Sequence, residues 1–168
     1  MILIKETHMN RFKALRVHAH DKTTVARFEQ IGLDDLSGGE VVVRVAWTGI
    51  NYKDALAVTG KGRILKGYPK VPGIDLAGTV ESSSDARYKS GDPVLVTGCN
   101  IGEALDGGYA EFARLPAGIL VPLPQNLTMR EAMAIGTAGF TAALCVMALE
   151  RHGVRPGDGE VLVTGAAG

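Results

Sequence analysis

Short apolar runs, separated by glycine- and proline-rich turns, make up the first two-thirds of the chain. Residues 12–18 and 23–30 are two such runs on either side of a polar turn, and together they predict a β-hairpin. In residues 40–48 a valine recurs at every second position, which predicts a strand with one buried face. Strands this short, with turns this regular, are typical of a β-barrel or sandwich. The same pattern predicts further strands at 74–81, 93–97, 109–115 and 118–122. It also predicts one short helix at 51–58, which Gly60 and Gly62 end.

The pattern changes to helical periodicity in the last third. Thr128 followed by Glu131 forms a capping box, which predicts a helix running to about residue 134. Residues 137–152 predict a second, longer helix that Gly153 ends. This second helix is apolar on nearly every side, so we expect it to be buried between two layers of structure.

The end of the chain has the pattern of a strand that runs into a turn of small residues. Residues 160–164 are rich in β-branched side chains and predict a buried parallel strand, and residues 165–168 supply the turn. A dinucleotide-binding Rossmann unit begins in this way, because the turn lets backbone N–H groups approach a pyrophosphate. A complete unit takes about 30 residues. We therefore expect this chain to be the front part of a longer, nucleotide-dependent protein.

Composition and charge exclude several classes of function. With 46% hydrophobic and 21% charged residues, the 168-residue chain is typical of a soluble globular protein. Its 18 basic residues balance 18 acidic ones, which leaves no net field to hold nucleic acid or an anionic membrane surface. No run approaches the roughly 18 apolar residues of a membrane span. Cys99 and Cys145 lie far apart in unlike contexts, which favours a reducing, cytoplasmic location.

Three segments together resemble the medium-chain dehydrogenase/reductase superfamily: residues 49–54 (GINYKD), 72–78 (PGIDLAG) and 136–142 (GTAGFTA). The sequence of residues 51–62 is similar to that found in the branch of NADPH-dependent acrylyl-CoA reductases, which are often labelled quinone oxidoreductases. The resemblance implies a β-rich GroES-like barrel as the catalytic domain at 12–134, after an N-terminal extension at 1–11. It also implies that residues 135–168 hold a bridging helix and the first strand and turn of a truncated NADPH-binding Rossmann domain.

The resemblance further implies an enzyme without zinc. Asn51 stands at the position that matches the first cysteine ligand of the zinc-dependent relatives, and Ile74 matches their histidine. No cysteine lies near Gly136, and none accompanies Cys99 in its loop. Since zinc needs thiolate or imidazole ligands in a tetrahedral arrangement, we expect no metal.

Chemistry without zinc requires hydrogen-bond donors beside the substrate oxygen. Reduction of an alkene conjugated to a thioester fits, because hydride adds to the β-carbon and charge moves to the thioester oxygen. By resemblance, Tyr52 contacts NADPH and is a candidate catalytic residue; by its sequence alone, its ring could simply pack where the helix begins. Asn51, the second catalytic candidate, either lines the same cleft or caps that helix.

Other residues are candidates for cofactor binding by resemblance alone. Thr137 and Thr141 face the cofactor unless their hydroxyls bond to carbonyls of their own helix. The turn would contact the pyrophosphate through Gly165, Ala166, Ala167 and Gly168. We expect Lys53 and Asp54 to be a solvated pair at the start of a helix, and Asp75 to be a turn or strand residue bonded to the backbone.

The expected function is NADPH-dependent reduction of acrylyl-CoA to propionyl-CoA by the complete protein, which we expect to be a homodimer. The fragment itself is expected to be inactive, and poorly soluble or self-associating. The strand at 160–164 would lack sheet partners, and the second helix would lose one of its two layers, which exposes Phe140, Leu144 and Met147. One alternative is a reductase of quinones or other enones, which uses the same hydride chemistry. An alternative of another class is a non-catalytic β-barrel module that binds a partner, although such a module has no use for the start of a Rossmann domain.

Overall fold

The computed structural model describes residues 11–21 and 23–165, which fold into two antiparallel sheets and two α-helices. The first sheet is the hairpin of β1 (Phe12–His20) and β2 (Thr23–Ile31). The second has five strands in the order β6-β3-β4-β5-β7. These strands are β3 (Val41–Thr48), β4 (Asp75–Ser83), β5 (Pro93–Thr97), β6 (Phe112–Leu115) and β7 (Val121–Pro122).

The seven strands predicted before residue 128 are confirmed in number and order, with differences at the edges of the sheet. β6 begins at Phe112, three residues later than expected, because residues 109–111 pair with the hairpin and with β3 through separate hydrogen bonds. The predicted strand at 118–122 shortens to β7, since residues 117–119 form a turn of 3-10 helix.

The core explains why β3 departs from simple alternation. Val41 and Val43 point to one face of the five-stranded sheet and lie in the main core there, as the pattern predicted. Val42 points the other way, yet it is also buried, because Phe12 of the hairpin packs on that face together with Phe112 of β6. The two rings meet edge to face with centroids 5.2 Å apart. The first half of β3 is therefore buried on both faces.

The short helix α1 (Tyr52–Thr59) follows β3 directly and packs against the hairpin. Ala57 faces Val17 of β1 and Leu65 of the following loop. The helix ends at Gly60, whose φ of 68° is a left-handed conformation that glycine adopts without a steric penalty. This arrangement holds the start of α1 beside the start of β4.

Helix α2 (Met129–Arg151) begins at the predicted capping box and is broken at Gly136. The Thr128 N–H donates to Glu131 Oε2 over 2.8 Å, and this bond lowers the pKa of Glu131. Gly136 has φ 50° and ψ −160°, so the two helices predicted from the sequence are confirmed. We call residues 129–135 the proximal segment and residues 137–151 the distal helix.

The two parts of α2 have opposite environments. In the proximal segment Ala132 and Met133 are buried against Ala77 of β4. In the distal helix Phe140 and Leu144 are 53% and 49% exposed, and an apolar groove of about 260 Å³ separates its first turns from β5. The exposure of Phe140, Leu144 and Met147 that was expected for the fragment is confirmed, because within the described residues no second layer covers the distal helix.

The strand expected at residues 160–164 does not form in this structure. Those residues are exposed, and Leu162 is 87% exposed. A strand exists through hydrogen bonds to a neighbouring strand, and within the described residues none lies beside this segment. The expected turn begins at Gly165, which is exposed and has φ 63°. Ala166, Ala167 and Gly168 lie outside the described residues.

By length and composition alone α2 could cross a membrane, contrary to the expectation from the sequence, since an 18-residue window within its 23 residues has a mean hydropathy of 1.9. Its geometry argues otherwise. The proximal segment is docked on the sheet, and at 1.5 Å per residue the distal helix is only about 22 Å long, which is short of a hydrocarbon core of about 30 Å. The apolar surface of the distal helix therefore fits contact with protein.

Candidate functional site

A buried carboxylate lies where β4, α1 and α2 meet. Asp75, the first residue of β4, is 1% exposed. Its Oδ2 accepts from Asn51 Nδ2 over 2.8 Å and from the Thr137 N–H over 2.9 Å, and its Oδ1 accepts from the Thr137 hydroxyl over 2.5 Å. Its carbonyl accepts from the Thr48 hydroxyl over 2.7 Å. We call Asn51, Asp75 and Thr137 the Asp75 cluster.

Asn51 is held at two points. Its side chain bonds to Asp75, and its own N–H donates to Asp54 Oδ2 over 2.8 Å. Asn51 is the N-cap residue of α1, but its amide bonds to β4 and does not cap the helix. The bond to Asp75 thus replaces a side-chain cap, and a role for Asn51 at the cofactor cleft stays a prediction.

Asp54 is buried, so the prediction that it forms a solvated pair with Lys53 is wrong. It is 2% exposed, and its Oδ1 accepts from the Ile74 N–H over 3.0 Å. The first turn of α1 aims this carboxylate back at the N-cap residue, where β4 also begins, and two backbone N–H groups compensate its burial. Lys53 instead pairs with Glu103 over 2.8 Å.

Two glycines allow the elements to approach the Asp75 carboxylate. A Cβ on Gly136 would lie 2.9 Å from Asp75 Oδ2, and a Cβ on Gly49 would lie 3.2 Å from the same atom. At Gly136 the left-handed backbone also favours glycine. These glycines, together with Thr137, are the sequence signal that could have identified Asp75 as the centre of the site. The prediction that Asp75 bonds to backbone accounts for one of its three side-chain hydrogen bonds, the one from the Thr137 N–H.

Tyr109 is a further residue that the sequence reasoning missed. Its hydroxyl donates to the Gly49 carbonyl over 3.3 Å, next to the Asp75 cluster. Burial, and then the negative charges of Asp54 and Asp75, raise its pKa well above the ordinary value. Tyr109 therefore stays neutral and acts as a hydrogen-bond donor to the backbone at neutral pH.

Tyr52 and the two threonines are in different situations. Tyr52 is 81% exposed, and among the described residues its hydroxyl has no hydrogen-bond partner, so its ring does not pack at the start of the helix. The Thr137 hydroxyl is committed to Asp75. The Thr141 hydroxyl donates to the Thr137 carbonyl over 2.8 Å, which is the helix-internal bond that the sequence left open. Gly165 has no atom within 4 Å of where its Cβ would be.

The positions equated with zinc ligands hold other chemistry. Asn51 presents an amide that bonds to Asp75, and Ile74 presents an alkyl side chain that is buried. Across residues 11–21 and 23–165, no group of three or more His, Cys, Asp or Glu side chains is placed to hold a metal ion. Metal independence stays a prediction, and a direct metal analysis would test it.

Residues 37–125 match the alcohol dehydrogenase GroES-like domain family. The chain is 55% identical over 159 residues to the acrylyl-CoA reductase AcuI of Ruegeria pomeroyi, an alignment that covers 94% of this chain and 48% of that protein. It is 48% identical over 157 residues to the putative quinone oxidoreductase YhfP of Bacillus subtilis, covering 94% of this chain and 48% of that protein. The chain thus spans about half the length of the curated relatives it matches.

A solved structure shares the fold. The yhdH oxidoreductase of Salmonella enterica, in complex with NADP, superposes with a TM-score of 0.90 at 53% identity, covering 93% of this chain and 48% of that one. The expected GroES-like architecture and the resemblance drawn from the three motifs are therefore confirmed. The chain belongs to the alcohol dehydrogenase GroES-like domain family, within the medium-chain dehydrogenase/reductase superfamily.

Proposed function

We propose that this chain is the catalytic domain of an NADPH-dependent, zinc-independent reductase that converts acrylyl-CoA to propionyl-CoA. The observation that carries the proposal is the 55% identity, along 94% of the chain, to an acrylyl-CoA reductase. Because the chain spans about half of that relative, the proposed activity belongs to the longer protein that also contains the cofactor domain.

The residues present fit the proposed cofactor at the first turns of α1 and of the distal helix. When bound, NADPH supplies a hydride to the β-carbon of the alkene. The exposed phenol of Tyr52 is available for a cofactor contact. Thr137 and Thr141 can contribute only as acceptors, since both hydroxyl protons are already engaged. The turn from Gly165 to Gly168 is the proposed pyrophosphate contact.

Stabilising the thioester oxygen falls to donors at the cleft. Nδ2 of Asn51 carries two protons, of which Asp75 accepts one, so the second can donate to a substrate oxygen. The Tyr52 hydroxyl is the second candidate donor. The negative charge of Asp75 does not oppose this stabilisation strongly, because its three hydrogen bonds and the N-terminus of the distal helix compensate it.

A reductase of quinones or other enones is the second candidate, and the 48% identity to a putative quinone oxidoreductase favours it. Both candidates need the same hydride transfer and differ in the acceptor. For the non-catalytic barrel module we find no specific supporting observation. By analogy with enzymes of this kind, we propose a cytoplasmic homodimer as the complete form.

The test is a chimera in which this chain is followed by the C-terminal half of the Ruegeria pomeroyi relative. We expect NADPH oxidation with acrylyl-CoA at a kcat/KM far above that for small quinones. Comparable values for the two acceptors would favour the second candidate. In the same chimera, Tyr52→Phe should raise the KM for NADPH or lower kcat, whereas Lys53→Met, which alters only the exposed pair with Glu103, serves as the control.

A further inference from the structure

We propose that Asp75 is a positioning residue that fixes the Asn51 side chain and the direction of the distal helix through one carboxylate. The geometry alone supports this coupling; its consequence for catalysis rests on the proposed function. Asn51 belongs to the catalytic domain, and the distal helix leads toward the segment proposed to bind the cofactor. One side chain would therefore fix both the Asn51 amide and the distal helix, which we call the two walls of the cleft.

The carboxylate is itself rigidly placed. Asp75 pairs with Thr97 in the register of β4 and β5, and its carbonyl accepts from Thr48. The preceding carbonyl, that of Ile74, accepts from the Gly98 N–H over 2.7 Å. With the backbone tied on both sides and the side chain 1% exposed, the two carboxylate oxygens are fixed points to which other elements attach.

The distal helix attaches to these points through its first residue. An α-helix begins with backbone N–H groups that have no partner within the helix, and a carboxylate is favoured there by the helix dipole. At this helix the carboxylate comes from a different element, since Thr137 donates both its N–H and its hydroxyl to Asp75. A Cβ at Gly136 would meet the same carboxylate at 2.9 Å, so the break in α2 fits this approach closely.

Little else in the described chain holds the distal helix. Its large side chains Phe140, Leu144 and Met147 are exposed, and the groove beside it is open toward β5. Among the described residues, the distal helix is hydrogen-bonded to the preceding domain through the two bonds that Thr137 makes to Asp75. Its direction therefore depends on Asp75 more than on packing.

The Asp75 carboxylate also determines whether the nitrogen or the oxygen of the Asn51 amide faces it. An ionised carboxylate has no proton to donate, so it must face the nitrogen. The carbonyl oxygen and one N–H of the amide then remain for a ligand. A change at the Asp75 carboxylate therefore removes the orientation of Asn51 and the anchor of the distal helix together, which is the coupling we infer.

The chain contains its own reporters for the helix direction. Trp47 is its single tryptophan and lies on β3, with Arg130 of the proximal segment over its ring at 5.9 Å. Cys145 is exposed on the distal helix. In a Cys99→Ser background, an energy-transfer acceptor on Cys145 reports the distance from Trp47. Time-resolved fluorescence at nanomolar concentration gives the distribution of that distance and avoids self-association.

Asp75→Asn is the main variant, because it keeps the shape but removes the negative charge and leaves one acceptor oxygen for the three donors of Asn51 and Thr137. We expect the ratio of docked to undocked helix to fall at least about tenfold, seen as a broader and shifted distribution. Thr137→Val removes the hydroxyl bond alone and should give a smaller shift in the same direction. This second variant tests the proposal even if Asp75→Asn folds poorly.

Asp106→Asn is the matched control. Asp106 is another buried aspartate, 3% exposed, and it accepts from Ser37 and from the Val71 N–H without contacting α2. We expect this variant to lower stability and to leave the Trp47–Cys145 distribution unchanged. The proposal is overturned if Asp75→Asn and Thr137→Val keep the wild-type distribution, or if Asp106→Asn alters it equally. None of these readouts requires activity, so a failure here is distinct from a failure of the proposed function.

A reciprocal exchange tests the link to Asn51 in the active chimera. Asp75→Asn alone should lower kcat more than it raises the KM for NADPH. Combining it with Asn51→Asp restores one donor facing one acceptor between these two side chains but leaves the Thr137 N–H opposite an amide nitrogen, so the helix distribution should stay shifted and activity should stay low, because a donor has left the cleft. Full activity in the Asp75→Asn variant, with its helix undocked, would show that the two walls are not coupled.

Discussion

Replacing Gly136 by alanine tests the break in α2 directly. The backbone there has φ 50° and ψ −160°, a region that is strained by about 1–3 kcal/mol for a residue with a side chain. The new Cβ would also lie 2.9 Å from Asp75 Oδ2, which is closer than a carbon and an oxygen tolerate, so one of them must move.

The domain can relieve this strain in two ways, and the less costly one sets the effect. It can keep the distal helix docked and bear the backbone strain and the contact. Alternatively it can release the helix, which gives up the two Thr137 bonds to Asp75, each worth about 1.5–3 kcal/mol for a charged acceptor. The first route costs about 1–3 kcal/mol of strain plus the close contact, and the second costs about 3–6 kcal/mol, so we expect a loss of about 2–4 kcal/mol in the free energy of unfolding.

Urea unfolding followed by Trp47 fluorescence measures this loss, and two controls separate its parts. Gly98→Ala shares a positive φ, 66°, but has nothing within 4 Å, so it should show backbone strain alone, about 1 kcal/mol. Gly67→Ala has neither constraint and should change stability by less than about 0.5 kcal/mol. A loss at Gly136 no larger than that at Gly98 would refute the role of the Asp75 contact.

Three further predictions follow from the site. Elemental analysis of the purified protein should find zinc well below one equivalent, and stoichiometric zinc that survives dialysis would contradict the assignment of Asn51 and Ile74 as non-ligands. Calorimetric titration of NADPH into the 168-residue chain should detect no binding in the micromolar range, since Gly165 lies in an exposed segment without a sheet behind it; a clear one-to-one isotherm would show that the Tyr52 surface binds the cofactor unaided. Because the pKa of Tyr109 is raised above its ordinary 10.0, the folded state keeps a proton that the unfolded state loses, so this stabilisation is complete below pH 10 and disappears as the pH rises further. Tyr109→Phe should make unfolding less steeply dependent on pH above that point, and an unchanged slope would show that the hydroxyl is not buried in solution.

The features predicted correctly from the sequence are those set by neighbours along the chain. Thr128 and Glu131 cap a helix through bonds that span three residues, and Gly60 ends a helix through its own φ. The alternation of valines in β3 gave the face that points to the main core. It could not show that Val42 is buried as well, because the hairpin that covers it comes from elsewhere in the chain.

The features that the sequence could not predict depend on distant partners. Asp54 and Asp75 look like ordinary surface carboxylates until α1, β4 and the start of the distal helix converge. The donors that compensate Asp75 are 24 and 62 residues away in sequence. Family resemblance brought Asn51, Tyr52 and Thr137 to notice, but it did not show that two of them meet on one carboxylate.

The break at Gly136 also separates two parts of the chain whose backbone amide protons should exchange with solvent at different rates. Amide protons of the proximal segment lie under the buried Ala132 and Met133, and should exchange with solvent only when the five-stranded sheet itself opens. Amide protons a few residues further on, in the distal helix, are protected by a helix that is exposed along most of its length and can fray locally. A single helix by secondary structure therefore spans two cooperative units. A polypeptide that ends at Ile135 should retain the slow-exchanging core and lose the apolar surface that favours self-association.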